Sequence, residues 1–187
     1  MNVVFRLGAA GLRMRARRGD DSSQPLDASD FAGLYGLHRD RVYAYSLAIL
    51  HDPEAAADVT AAAFERALRR LDSCRGGTDG FAPWICRIAR NLAIDHHRRL
   101  ARFDSAPMLA EVAAPPHDGP EDMALKRDGS TELHRALAEL TELERECLAL
   151  RYGAGLTARQ IGAVVGKTDS ATQKLMQRAL MRLREKL

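Results

Sequence analysis

Apolar residues begin to recur at helical spacing at Phe31 and continue through Leu34, Tyr35, Leu37, Val42, Tyr45, Ile49 and Leu50. That period predicts a first helix, with Asp27 or Ser29 as its cap. His51-Asp52-Pro53 ends it and starts a second, because proline is tolerated only in a first turn. The second helix is expected from Pro53 to Leu71, with Ala57, Val59, Ala63, Phe64, Ala67 and Leu68 available to a core. Gly76, Gly77 and Gly80 make residues 72–80 a loop. A third helix is expected from Ala82 to Arg102, with Trp84, Ile85, Ile88, Ala89, Leu92 and Ile94 apolar. Its late arginines, Arg98, Arg99 and Arg102, suit the negative end of a helix dipole. From Phe103 to about Ser130 the pattern fades, and Pro107, Pro115, Pro116 and Pro120 forbid a long helix through the middle. An extended tether is expected there, with a helical turn near Met108 to Val112. Periodicity returns at Leu133, Ala136, Leu137 and Leu140, and a helix follows from Glu142 to Tyr152. Gly153 and Gly155 end it. Thr157 opens a short helix to Val165, Gly166 turns the chain, and a last helix runs from about Ser170 to Leu187.

These segments predict an all-α chain of two small helical domains joined by a flexible linker. The parts are a basic and polar arm over residues 1–26, a first domain over 27–102, an acidic Pro-rich linker over 103–131, and a second domain over 132–187. Composition agrees. Apolar residues make up 46% of the 187, enough for packed cores, while aromatics are only 5%. Abundant Ala, Leu and Arg favour helix over strand. The formal net charge of +3 is mild, but its distribution is not. Residues 87–102 and 159–186 are basic, and residues 104–132 between them are acidic, which suggests two nucleic-acid-facing surfaces on one chain.

Cys74, Cys86 and Cys147 fit neither a paired zinc motif nor a disulfide framework, so reduced thiols are expected. Cys86 and Cys147 fall in helical patterns and should pack as small hydrophobes. Cys74, in the Gly-rich loop, is the one candidate for reactivity. No apolar run is long enough to span a membrane, and the arginine-interrupted residues 1–18 lack a signal-peptide core. No membrane insertion, no metal, no cofactor and a cytoplasmic location are expected.

The segment from Thr157 to Thr168 followed by a basic helix has the form of a helix-turn-helix. Ile161, Val164 and Val165 give the first helix an apolar face, and Gly166 supplies the left-handed turn. Thr168 or Asp169 can cap the second helix, whose inner face carries Thr172, Leu175, Met176, Ala179 and Leu183. Its opposite face carries Gln173, Lys174, Gln177 and Arg178. In this motif that face enters the major groove, where Gln reads adenine and Arg or Lys reads guanine or holds phosphate.

In the first half, residues 52–67 (Asp52-Pro-Glu-Ala through Phe64-Glu-Arg-Ala67) and 81–99 (Phe81-Ala-Pro-Trp84 through Asp95-His-His-Arg98-Arg99) resemble region 2 of sigma-70-family RNA polymerase sigma factors. Residues 140–183, with Gly166-Lys-Thr and Gln177-Arg-Ala-Leu180, resemble their region 4. Nothing resembles the longer additional domains of housekeeping members, which places the resemblance in the extracytoplasmic-function group. It implies a promoter-reading initiation factor and not an enzyme, whose partners are bacterial core RNA polymerase, promoter DNA and an anti-sigma factor. It implies polymerase docking through Asp58, Phe64 and Arg66. It implies recognition and melting of the −10 element through Arg75, Arg90, Asn91, Asp95, Arg98 and Arg99. It implies reading of the −35 element through Lys167, Thr168, Ser170, Gln173, Lys174, Gln177 and Arg178. The chemistry suits these roles, since opened strands need backbone-tracking cations and places for unstacked bases. Trp84 is expected in the core, and Asp95 is an alternative, intrahelical partner for Arg90.

Two other classes compete. An ordinary helix-turn-helix regulator would share the second half but gives no reason for the pattern from Trp84 to Arg99. A metal-dependent phosphoesterase would use Asp95-His96-His97, but neighbouring helical residues point about 100° apart and converge poorly on one ion.

Overall fold

In a computed structural model of the chain, the described residues are 26–103, 133 and 135–187. The amino-terminal arm and the acidic linker, with its expected turn, lie outside them. Among the described residues there is helix and no strand.

Helix α1 (Ala28–Leu50) starts at a capping box. The Asp27 carboxylate accepts from the Ser29 and Asp30 N–H groups, and the Asp30 carboxylate accepts from the Asp27 N–H. His51 ends α1 in the left-handed region, at φ 56°, and Asp52 caps α2 (Pro53–Arg69), whose first residue is the proline. A single 3₁₀ turn follows at Leu71–Ser73. Helix α3 (Gly77–Phe103) begins five residues earlier than its apolar pattern suggests. Gly76 and Gly77 supply the positive φ angles of the entry. Gly80 is forced by packing, since a Cβ there would lie 1.9 Å from the Arg75 carbonyl oxygen. The loop expected over residues 72–80 is therefore only Cys74 to Gly76, between the 3₁₀ turn and α3.

These three helices enclose an aromatic centre. Phe64 and Phe81 lie with ring centroids 6.4 Å apart, Phe31 meets both edge-on, and His38 tilts over Phe81 at 5.4 Å. Trp84 is half-buried beside Phe81, as expected of a core side chain. Leu26, assigned from sequence to the arm, is also buried in this core. Tyr35, Leu37, Ala57 and Leu68, expected inside, are exposed, because three helices do not surround all of each apolar stripe.

In the second half, α4 (Glu142–Leu148) begins at a capping box between Thr141 and Glu144 and passes into a π-helical segment, Ala149–Gly153. Helix α5 (Ala158–Val165) has a third box, Thr157 with Gln160. Gly166, at φ 73° and ψ 37°, turns the chain into α6 (Asp169–Arg184), capped by Thr168. Leu140, Leu148 and Ala179 form a small core of their own. Cys147, Leu150, Ala154, Leu156, Ile161 and Val164 instead join the same contiguous cluster as the core of the first half. The two halves are packed together: the π segment lies against α1, and α5 lies against α3.

Candidate nucleic-acid interface

The helix-turn-helix is built by close approach. Gly162 has no room for a side chain, as a Cβ would meet the Lys167 carbonyl oxygen at 2.6 Å and the Thr172 hydroxyl at 3.1 Å. That contact sets α5 against the start of α6. The Thr168 hydroxyl accepts from the Ala171 N–H, and the Thr172 hydroxyl donates to the Thr168 carbonyl at 2.9 Å. Thr172 and Ala179 are buried, and Leu175, Met176 and Leu183 are half-buried. The opposite face stands open, with Lys167, Thr168, Ser170, Gln173, Lys174, Gln177 and Arg178 all exposed. The Gln173 amide donates to the Asp169 carboxylate at 3.1 Å, which orients it along the helix. Donors, acceptors and cations thus line one exposed ridge, the chemistry that reads base edges and phosphates.

Glu144 braces this half from behind. Burial raises its pKa, but the Thr141 N–H and hydroxyl and the Arg182 guanidinium outweigh that and hold it below the usual carboxylate range. Arg182 reaches it from α6 at 2.8 Å.

In the first half, Arg66 of α2 and Arg98, Arg99 and Arg102 of α3 surround one recess, with Asp95 and Leu92. Asp95 lies 3.9 Å from Arg98, not beside Arg90. A neighbouring groove between the same helices is lined by Asp58, Val59, Ala62, Leu92, His96, Arg99 and Leu100. Asp58 is exposed at that groove. Phe64, for which the resemblance implies polymerase docking, is 3% exposed and packs inside the aromatic centre, where it holds α2 against α1 and α3. Arg75 and Asn91 are exposed.

Arg90 is turned toward the second half. Its Nε and terminal nitrogen donate to the two Glu146 carboxylate oxygens at 2.6 and 3.1 Å, and the Tyr45 hydroxyl donates to the same carboxylate at 3.1 Å. Burial and the adjacent Glu146 charge push the Tyr45 hydroxyl pKa well up, and the hydrogen bond to Glu146 raises that of Arg90. Neither Glu146 nor Tyr45 carries a signal of this role in sequence, because the pair meets only when the halves pack. Cys74 is buried and its thiol is pushed up by burial, which removes the low-pKa chemistry a reactive cysteine needs. Burial likewise pushes Cys86 up to about 12 and Cys147 to about 11. Among the described residues no group of His, Cys, Asp and Glu side chains is placed to hold a metal ion, and no helix is long and apolar enough to cross a membrane.

Residues 34–103 match the family model for sigma-70 region 2, and residues 136–185 that for sigma-70 region 4. The chain is 32% identical over 165 residues to the ECF RNA polymerase sigma factor BldN of Streptomyces coelicolor, covering 87% of this chain and 62% of that protein's length. It is 25% identical to the ECF RNA polymerase sigma factor SigW of Bacillus subtilis, covering 86% of this chain and 90% of the other. Among solved structures, the sigma factor RpoE of Bartonella quintana, crystallised with the anti-sigma factor NepR, shares the fold. The TM-score is 0.67 at 22% identity, covering 84% of this chain and 96% of that one.

Proposed function

This chain belongs to the sigma-70 family, in its extracytoplasmic-function group, and from that premise we propose that it binds core RNA polymerase and directs promoter-specific initiation. The observation that carries the reading is the pair of separate cationic faces. One is the exposed ridge of α6, suited to a −35 duplex. The other is the four-arginine recess of α2 and α3 with exposed Asn91 beside it on α3, suited to the backbone and unstacked bases of an opened −10 element. The partly apolar groove with Asp58 at its rim is the docking surface for the polymerase. The protein acts in the cytoplasm as an initiation factor and catalyses no reaction of its own. An anti-sigma factor is a further partner, as in the Bartonella complex.

Run-off transcription with purified bacterial core polymerase over the chain's own upstream DNA tests this. Initiation at a defined start only when the protein is present is the expected result. DNA binding that is equally tight without polymerase would instead favour an ordinary helix-turn-helix regulator. On the promoter so mapped, Lys174→Ala or Arg178→Ala should lose about 1–3 kcal/mol of binding if base-contacting, and sequence-uniform loss would assign them to phosphate.

A further inference from the structure

We propose that Asp169 sets the base selectivity of the α6 ridge. Its carboxylate takes the amino group of a cytosine in the major groove, and it fixes the Gln173 amide in the sense that reads a neighbouring adenine. The inference rests on the reading of α6 as the −35 helix.

Residues 167–178 carry three cations, Lys167, Lys174 and Arg178, and a single carboxylate, Asp169. A negative charge on a ridge that approaches phosphates weakens binding, so its place there calls for a reason. Capping is not that reason, because Thr168 caps α6, its hydroxyl accepting from the Ala171 N–H at 3.2 Å. Nor is an internal ion pair, since among the described residues no lysine or arginine pairs with Asp169. The carboxylate is exposed at the first residue of α6. In a helix-turn-helix the first residues of that helix are the ones that reach base edges. What Asp169 does hold is Gln173, one turn on, whose Nε2 donates to Oδ1 at 3.1 Å. The helix dipole favours a carboxylate at this end whether or not it meets DNA, and the two roles part on base preference.

A carboxylate only accepts hydrogen bonds. Facing it, the Gln173 amide can present only its nitrogen, so chemistry settles which end of the amide points where. Oε1 and the second Nε2 hydrogen are then left for an adenine, whose N6 amino group donates and whose N7 accepts. The same restriction acts on the base that meets Asp169. Among the described residues nothing donates to its Oδ2. Cytosine offers that oxygen an amino donor, whereas guanine shows two acceptors and thymine an acceptor and a methyl. The cations supply affinity for any sequence, and Asp169 subtracts from it wherever the cytosine is missing.

Holoenzyme formed from the full chain and purified bacterial core polymerase is offered the run-off-mapped promoter with its −35 element randomised, and the bound templates are sequenced. The wild type should favour cytosine at one −35 position by about tenfold over guanine or thymine. Asp169→Ala should abolish that preference and weaken the adenine preference beside it. It should also bind templates lacking the cytosine several-fold more tightly than the wild type, because a repulsive charge has gone; a merely structural defect would not tighten binding. Asp169→Asn should exchange cytosine for adenine, the base that an Asn amide reads. Gln173→Ala should lose the adenine preference alone. Unchanged base preferences in Asp169→Ala, or a uniform fall in affinity over all templates, would overturn the proposal. Lys174→Ala in the same selection keeps that failure apart from failure of the α6 reading. A preference that shifts in Lys174→Ala but not in Asp169→Ala sinks the role of Asp169 alone, and no −35 preference in any protein, with initiation intact, overturns both. Asp169→Asn, nearly isosteric, keeps the test decisive if far-ultraviolet circular dichroism shows that Asp169→Ala frays the helix.

Discussion

His38 is a buried imidazole over the Phe81 ring, and burial together with the Arg41 charge lowers its pKa from the ordinary 6.5. The unfolded chain therefore takes up a proton at higher pH than the folded one. Stability is whole above about pH 6.5 and falls as the pH drops below it, until the folded imidazole protonates as well, with a slope of at most about 1.4 kcal/mol per pH unit. His38→Gln should flatten the fall in thermal midpoint between pH 7.5 and 5.5, and an unchanged slope would remove His38 as its source. Two glycines make opposite cases. Gly33, on α1 with open space around its Cβ position, should gain about 0.4–1 kcal/mol as alanine. Gly162→Ala should lose about 1–3 kcal/mol, because the Lys167 carbonyl it would strike is backbone and cannot step aside. Urea denaturation of the two variants beside the wild type reads both.

At the scale of elements, four of the starts that the sequence marks have a mechanism visible in the structure. Asp27, Asp52, Thr157 and Thr168 all accept from first-turn N–H groups. Thr168 fixes where α6 begins and so which residues line its exposed ridge. Thr168→Ala should cost about 0.5–2 kcal/mol of stability and fray the turn that carries Ser170. A chemical-denaturation midpoint equal to wild type would show the cap to be idle. The end of α4 is the element that resists reading. Its apolar pattern runs on to Tyr152, but the chain widens to a π segment at Ala149, carrying Gly153 onto α1. Periodicity reports which residues are apolar, not how many lie in a turn.

For the whole molecule, the recess joins Arg66 of α2 to Arg98, Arg99 and Arg102 near the far end of α3. The resemblance implies polymerase docking for Arg66, and in the structure it shares one recess with Arg98, Arg99 and Arg102. If it contacts phosphate, Arg66→Ala should lower the slope of log affinity against log salt for promoter DNA by about one. An unaltered slope with weakened polymerase binding would return it to docking.

The sequence by itself determined the helical class, the caps, the turn at Gly166, the exposed ridge of α6 and the two-region order that names the family. Each rests on local chemistry: a period of 3.6, a short oxygen beside free N–H groups, a glycine that accepts positive φ, or a motif of contiguous residues. Only the tertiary structure decided that Phe64 is core, that Cys74 is buried, that four arginines share a recess, and that Arg90 meets Glu146 and not Asp95. Those facts depend on which surfaces meet, and in the last case the partners lie 56 residues apart in sequence. Spacing along a helix cannot encode a partner on another helix, because that contact exists only once both have packed.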